Sequence, residues 1–151
     1  MTAPIFVESA VATGIKALLQ SSKALVIDSD TTASIRCFWL DDETESEVED
    51  QESYFVCVTV SPNVPGGYRI PMRTLGVSVV CATNMAKDPK STKLATLYKN
   101  VRHQFDTGTF SFANVTFNGA TITGASSPDV VENFFVVEFS VDMEVCASYE
   151  V

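Results

Sequence analysis

The stretch Leu75-Gly76-Val77-Ser78-Val79-Val80-Cys81, with the apolar residues Leu94, Leu97, Tyr98, Val101 and Phe105 that follow it, decides the fold. The first segment is almost wholly apolar and reads as a central strand. It stops at Ala82-Thr83-Asn84. Asp88 is then an N-cap acceptor, and Pro89 suits the first helical position, where a missing N–H costs nothing. The five apolar residues recur at helical spacing as one stripe, and Lys90, Lys93, Lys99 and Arg102 lie off it. Asp106-Thr107-Gly108 supplies a helix stop. Residues 74–105 therefore predict a central strand with an amphipathic helix laid across its sheet.

Upstream, Pro4 to Gln20 reads as a helix with a broad apolar face of Ile5, Val11, Ile15, Leu18 and Leu19. Its small residues Ala10, Gly14 and Ala17 suit close approach to a sheet. Ala24 to Ile27 and Ile35 to Leu40 are short strand candidates, and in the second Phe38 and Trp39 point to opposite faces. Tyr54 to Val60 is a strong strand. Ser61 to Gly67 is dense in turn formers and reads as a loop. Pro71 keeps the lead into the central strand at an edge or outside the ladder.

Downstream the chain reads as all β. Thr109 to Phe112 and Val115 to Phe117 are strand-like, and Asn118-Gly119 is a tight-turn pair that returns Ala120 to Thr123 as a hairpin partner. Gly124 to Asp129 is a further loop. Phe135, Val137, Phe139, Val141, Met143 and Val145 then alternate strictly with Val136, Glu138, Ser140, Asp142 and Glu144. That is a long strand with one buried and one wet face, long enough to run past the sheet that anchors it. The whole is expected to be one α+β domain spanning residues 1–151, a mostly antiparallel or mixed sheet flanked by two helices.

Of the formal charge of −9, most is local. Asp41, Asp42, Glu43, Glu45, Glu47, Glu49, Asp50 and Glu52 place eight carboxylates in twelve residues, and without them the chain would stand near −1. Residues 41–53 predict a flexible acidic loop. It lacks EF-hand spacing and contains no Gly, which argues against a calcium site. The nearly neutral body lacks the basic footprint of a sequence-specific nucleic-acid binder. The start of the sequence lacks a secretory pattern, and no apolar run is long enough to span a bilayer, so a protein made in the cytoplasm with no membrane partner is expected. Cys37, Cys57, Cys81 and Cys146 are far apart in strand-like segments and read as buried, reduced thiols, with cross-strand disulfides the alternative.

No catalytic motif occurs. The single His103 sits beside Arg102 and Gln104 at the flank of the helix stripe, so any Ser/His/Asp or Cys/His centre would have to use it. Gly66-Gly67 is followed by no phosphate-binding motif and reads as a turn. No cofactor, metal or catalytic role is expected. Lys90, Lys93, Lys99 and Arg102 are opposite in sign to Asp41–Glu52. The basic residues read first as a solvated helix face; paired with the acidic run, they would neutralise it within one subunit or meet it between subunits head to tail.

The order of helix, strands, Pro/Gly-rich loop, apolar strand, amphipathic helix, hairpin and long alternating strand resembles the tail terminator proteins of tailed bacteriophages. The pieces that carry the resemblance are YFVCVTVSPNVPGGYRIP at 54–71, LGVSVVCATN at 75–84, DPKSTKLATLYKNVRHQF at 88–105 and FFVVEFSVDMEV at 134–145. The acidic run and the long C-terminal tail depart from that pattern. The resemblance implies a virion protein of the tail or neck. Its homohexameric ring would cap the tail tube, stop its growth and join it to the head–tail connector protein, with DNA sliding through the lumen. A tail-tube subunit, head–tail adaptor, capsid accessory protein, or soluble ligand-binding domain with a pocket between the second helix and the sheet are the alternatives. The expected subunit contacts are Asp41, Asp42, Glu43, Glu45, Glu47, Lys90, Lys93, Lys99, Arg102 and, on the hairpin, Phe112 and Phe117.

Overall fold

A computed structural model describes residues 7–29, 31–38, 54–63, 72–84, 92–107, 110–112, 115–125, 129–131 and 134–147. The elements in chain order are α1 (Val7–Ser21), β1 (Val26–Asp28), β2 (Thr31–Thr32), β3 (Ser34–Phe38), β4 (Tyr54–Asn63), β5 (Met72–Asn84), α2 (Thr92–Thr107), β6 (Val115–Ala125), β7 (Asp129–Val131) and β8 (Phe134–Ala147). This is the α+β architecture that the sequence predicts.

The main sheet runs β3-β4-β5-β8-β6, with β7 also on β8. Only β3 against β4 is parallel. The predicted central strand is the middle of the five, and α2 connects β5 to β6 while β8 lies between them. Registers put Val56, Val58 and Val60 of β4, Leu75, Val77, Val79 and Cys81 of β5, and Val137, Phe139, Val141, Met143 and Val145 of β8 on one face. All are buried. Val11, Ile15 and Leu19 of α1 and Leu94, Leu97, Val101 and Phe105 of α2 join the same core cluster. Both helices therefore cover one face, which we call inner; α1 lies on β3 and β4, and α2 on β5 and β6.

Four sequence expectations are corrected. Asn118-Gly119 is not a hairpin turn. β6 runs straight through it, with Phe117 opposite Val145 and Gly119 opposite Glu144, so Asn118 is the extra residue of a bulge. A two-residue type I′ turn needs positive φ at both positions, and of the two only Gly119 has it, at 158°. The real hairpin joins β7 to β8, with Val131 opposite Phe134. β8 does not overrun its sheet. It is paired with β5 from Phe134 to Cys146, and with β7 and β6 on its other side. Ser61-Pro62-Asn63 is strand, opposite Gly76, Leu75 and Thr74. The β3 ladder ends at Thr59, and a proline is tolerated where one side of a strand has no partner. Residues 110–112 form no strand beyond a single bridge from Phe112 to Val115.

Gly14 explains how closely α1 sits. A Cβ there would overlap the Phe112 ring and lie 2.7 Å from the Ser111 carbonyl oxygen. Ala17, by contrast, is exposed. Phe139 seals the α2 side, meeting Tyr98 and Phe105 edge-on at 5.7 and 5.3 Å between ring centroids.

Gly14→Ala is expected to destabilise the fold by about 1–2 kcal/mol. Overpacking against backbone outweighs the helix-propensity gain of about 1 kcal/mol. Phe139→Ala is expected to cost about 3–5 kcal/mol. Urea denaturation of both variants checks these values, and a stabilised Gly14→Ala would mean that 110–112 yields to α1.

Candidate subunit interface

Because both helices lie on the inner face, the two broad sides of the domain differ chemically. The outer sheet face carries the alternate residues of each strand, and no described element covers it. At one end it is apolar: Phe55, Cys57, Val80, Phe134 and Val136 are half-buried there. Phe55 and Phe134 meet edge-on at 5.6 Å. The other end is Thr59, Ser61, Thr74, Gly76, Ser78 and Ser140, a flat surface of small polar groups. Across it runs the wet side of β8, with Glu138 and Glu144 exposed and Asp142 half-buried.

The opposite side is the helix layer, and it is basic. An open groove of about 590 Å³ lies between the end of α1 and α2, lined by Lys23, Tyr98, Lys99, Arg102, His103 and Asp106 among others. A second, smaller groove continues past Lys23 to Lys16 and Val26. Arg102 is held in place: its Nη1 donates to the Tyr98 hydroxyl at 2.9 Å, and its guanidinium lies 5.9 Å from the Tyr98 ring centroid. Lys99 projects from the same face and is exposed. Lys23 enters through backbone geometry. It takes φ 62° just after α1, where Ser22 N–H donates to Leu18 and Val26 N–H to Lys23 itself. That left-handed position usually belongs to glycine.

Lys93 has a different job. Its Nζ pairs with Asp28 at 3.1 Å and donates to the Thr31 hydroxyl at 3.4 Å. Asn100 Nδ2 donates to the Val26 carbonyl at 3.5 Å. These contacts strap the β1–β2 hairpin to α2. The ion pair is about half exposed, so it contributes no more than about 1 kcal/mol.

Of the predicted contact residues, the structure brings Lys93, Lys99 and Arg102 together on α2. Asp41, Asp42, Glu43, Glu45, Glu47 and Lys90 lie outside the described residues. Phe112 is buried and Phe117 partly so, inside the chain's own core. Phe112 stacks on Phe110 at 5.9 Å between ring centroids, and Phe117 meets Phe110 and Phe112 edge-on at 5.4 and 5.9 Å. Sequence reasoning missed the groove, because it arises only where Lys23 and α2 meet in space.

His103 is exposed on α2. Cys57, Cys81 and Cys146 are in no disulfide; Cys81 is buried, whereas Cys57 and Cys146 are half-buried on the outer face rather than in the core. Burial, and secondarily the nearby Cys57 thiol, pushes the Cys81 thiol far above its ordinary value, so it stays protonated and unreactive. Among the described residues no group of His, Cys, Asp and Glu could hold a metal ion, and no helix is long and apolar enough to cross a membrane. The space between α2 and the sheet is filled by Leu94, Leu97, Val101 and Phe105, so the pocket considered there is replaced by grooves on the outside of the helix layer. No protein-family model matches the chain, and no curated protein matches it in sequence.

Lys23→Gly is expected to raise folding stability by about 0.5–1 kcal/mol, since a left-handed conformation costs an L-residue about that much or more. The urea midpoint measures it; an unchanged or lowered midpoint would mean that the Lys23 side chain itself holds the turn.

Proposed function

We propose that this chain is a structural, non-catalytic virion protein, a tail terminator. Copies of it close into a ring on the end of a phage tail tube, arrest its growth and join it to the head connector. One observation carries the reading: no described element covers the outer face of the six-stranded sheet, which has an apolar end at Phe55, Val80, Phe134 and Val136. An open antiparallel sheet face tolerates water. An apolar end beside a flat strip of small residues also suits close packing of a second subunit. Other assembly roles, such as a tube subunit, head–tail adaptor or capsid accessory protein, would use the same surfaces. The basic groove favours a second reading, a soluble domain that binds an anionic ligand.

The native mass of the purified protein, followed across concentration, separates these readings. A discrete ring of about six copies is the expected result. Added to growing tail tubes, that ring should halt elongation. Open tubes would assign a tube subunit instead, and a monomer that ignores preformed tubes would leave the ligand-binding reading.

A further inference from the structure

We propose that copies of this chain join head to tail. The acidic strip of β8 on the outer sheet face of one copy would seat against the basic groove of the helix layer of the next. The inference rests on the ring reading and says which two surfaces make the ring.

Three observations converge on it. The first is sign. Asp142 and Glu144 lie on the outer face, together with Asp129 and Glu138. Among the residues whose side chains are described, none on that face is basic. The helix layer presents Lys16, Lys23, Lys99 and Arg102, with Lys93 already paired to Asp28 and with Asp106 exposed beside the groove. The second is position. The described helices cover only the inner face, so the two patches lie on opposite sides of the sheet. The third is shape. The strip is flanked by Gly76, Ser78, Ser140 and Thr74, short side chains that let a partner come close. The groove is an open concavity in which Tyr98 holds Arg102 and the left-handed turn sets the backbone position of Lys23.

A second copy is the occupant that these observations favour. Face-to-face pairing of two outer faces would set β8 carboxylates against each other, and like charges in register repel. A head-to-tail contact instead gives every subunit one satisfied strip and one satisfied groove.

The test uses two variants of the full chain. One carries Asp142→Lys and Glu144→Lys; the other carries Lys23→Glu and Lys99→Glu. Circular dichroism and thermal melting establish that each is folded. Each alone should need at least about a tenfold higher concentration to assemble, because attraction at the contact turns into repulsion. Mixed in equal amounts they should reassemble to the wild-type mass, since alternating copies restore opposite charges at every contact. Wild-type assembly should also weaken with added salt. Variants that assemble like wild type, or a folded pair that does not rescue on mixing, would overturn the contact while leaving the ring intact. A wild-type protein that stays monomeric would overturn both. Rescue into open filaments would keep the contact and sink the terminator. Should a reversal variant not fold, Asp142→Asn with Glu144→Gln replaces it. That protein should lose most of the salt dependence of assembly, and unchanged salt dependence would overturn the proposal.

Discussion

The fold depends on β8 being paired along both of its sides. Its whole length, Phe134 to Cys146, is held by β5, and its other edge is held by β7 and then β6. Strict alternation in a strand with two fixed neighbours leaves no freedom of register. A one-residue slip would carry Phe139, Val141 and Met143 to the open face and bring Glu138, Asp142 and Glu144 into the core. Burying unpaired carboxylates there would cost far more than the slip could return. The same pairing that seats Phe139 against Tyr98 and Phe105 therefore also fixes where the acidic strip lies. Core and surface are two readings of one strand.

That strand and the α2 stripe were legible because their periodicity is long and unbroken. Each matched residue adds to one signal, and tertiary structure has little room to override it. Misreadings fell where a short local preference competed with a long ladder. Asn118-Gly119 has strong turn chemistry, yet β8 offers β6 a partner from Val115 to Ala125, and the chain absorbs Asn118 as a bulge rather than give up that pairing. Ser61-Pro62-Asn63 behaves likewise against β5. Phe110 and Phe112 belong to a segment with no period, so nothing in sequence says which way their rings turn. Only Gly14, by letting α1 approach, shows that Phe112 turns inward.

The candidate interface was half legible for the same reason. Lys99 and Arg102 are off the apolar stripe of a helix, which places them on its outer side from spacing alone. Lys23 is a single residue after a helix end, and its contribution comes from a backbone angle and from the arrival of α2 seventy-odd residues later in the chain. The acidic residues of β8 are plain in sequence as the wet side of a strand. Their density is low, however, and the run at 41–52 outweighs them in any count of charge. What sets the β8 carboxylates apart is that their strand is rigid and central, so their charge arrives at a neighbour already positioned, with little entropy left to lose.

Placing the two patches on opposite sides of a flat slab would build a straight stack, and a stack does not stop. A twisted sheet has no parallel sides. Adjacent strands rotate by roughly 20–25°, so from β8 across β5 and β4 to β3 the sheet normal turns by about 60–75°. α1 packs on β3 and β4, and its end forms one wall of the groove. The other wall is α2, which packs on β5 and β6, so part of that twist separates the groove from the strip on β8. Each step of a six-fold ring requires a turn of about 60° between successive copies, within reach of this rotation. In the proposed ring, the twist that every sheet of L-residues carries would add curvature to the head-to-tail contact.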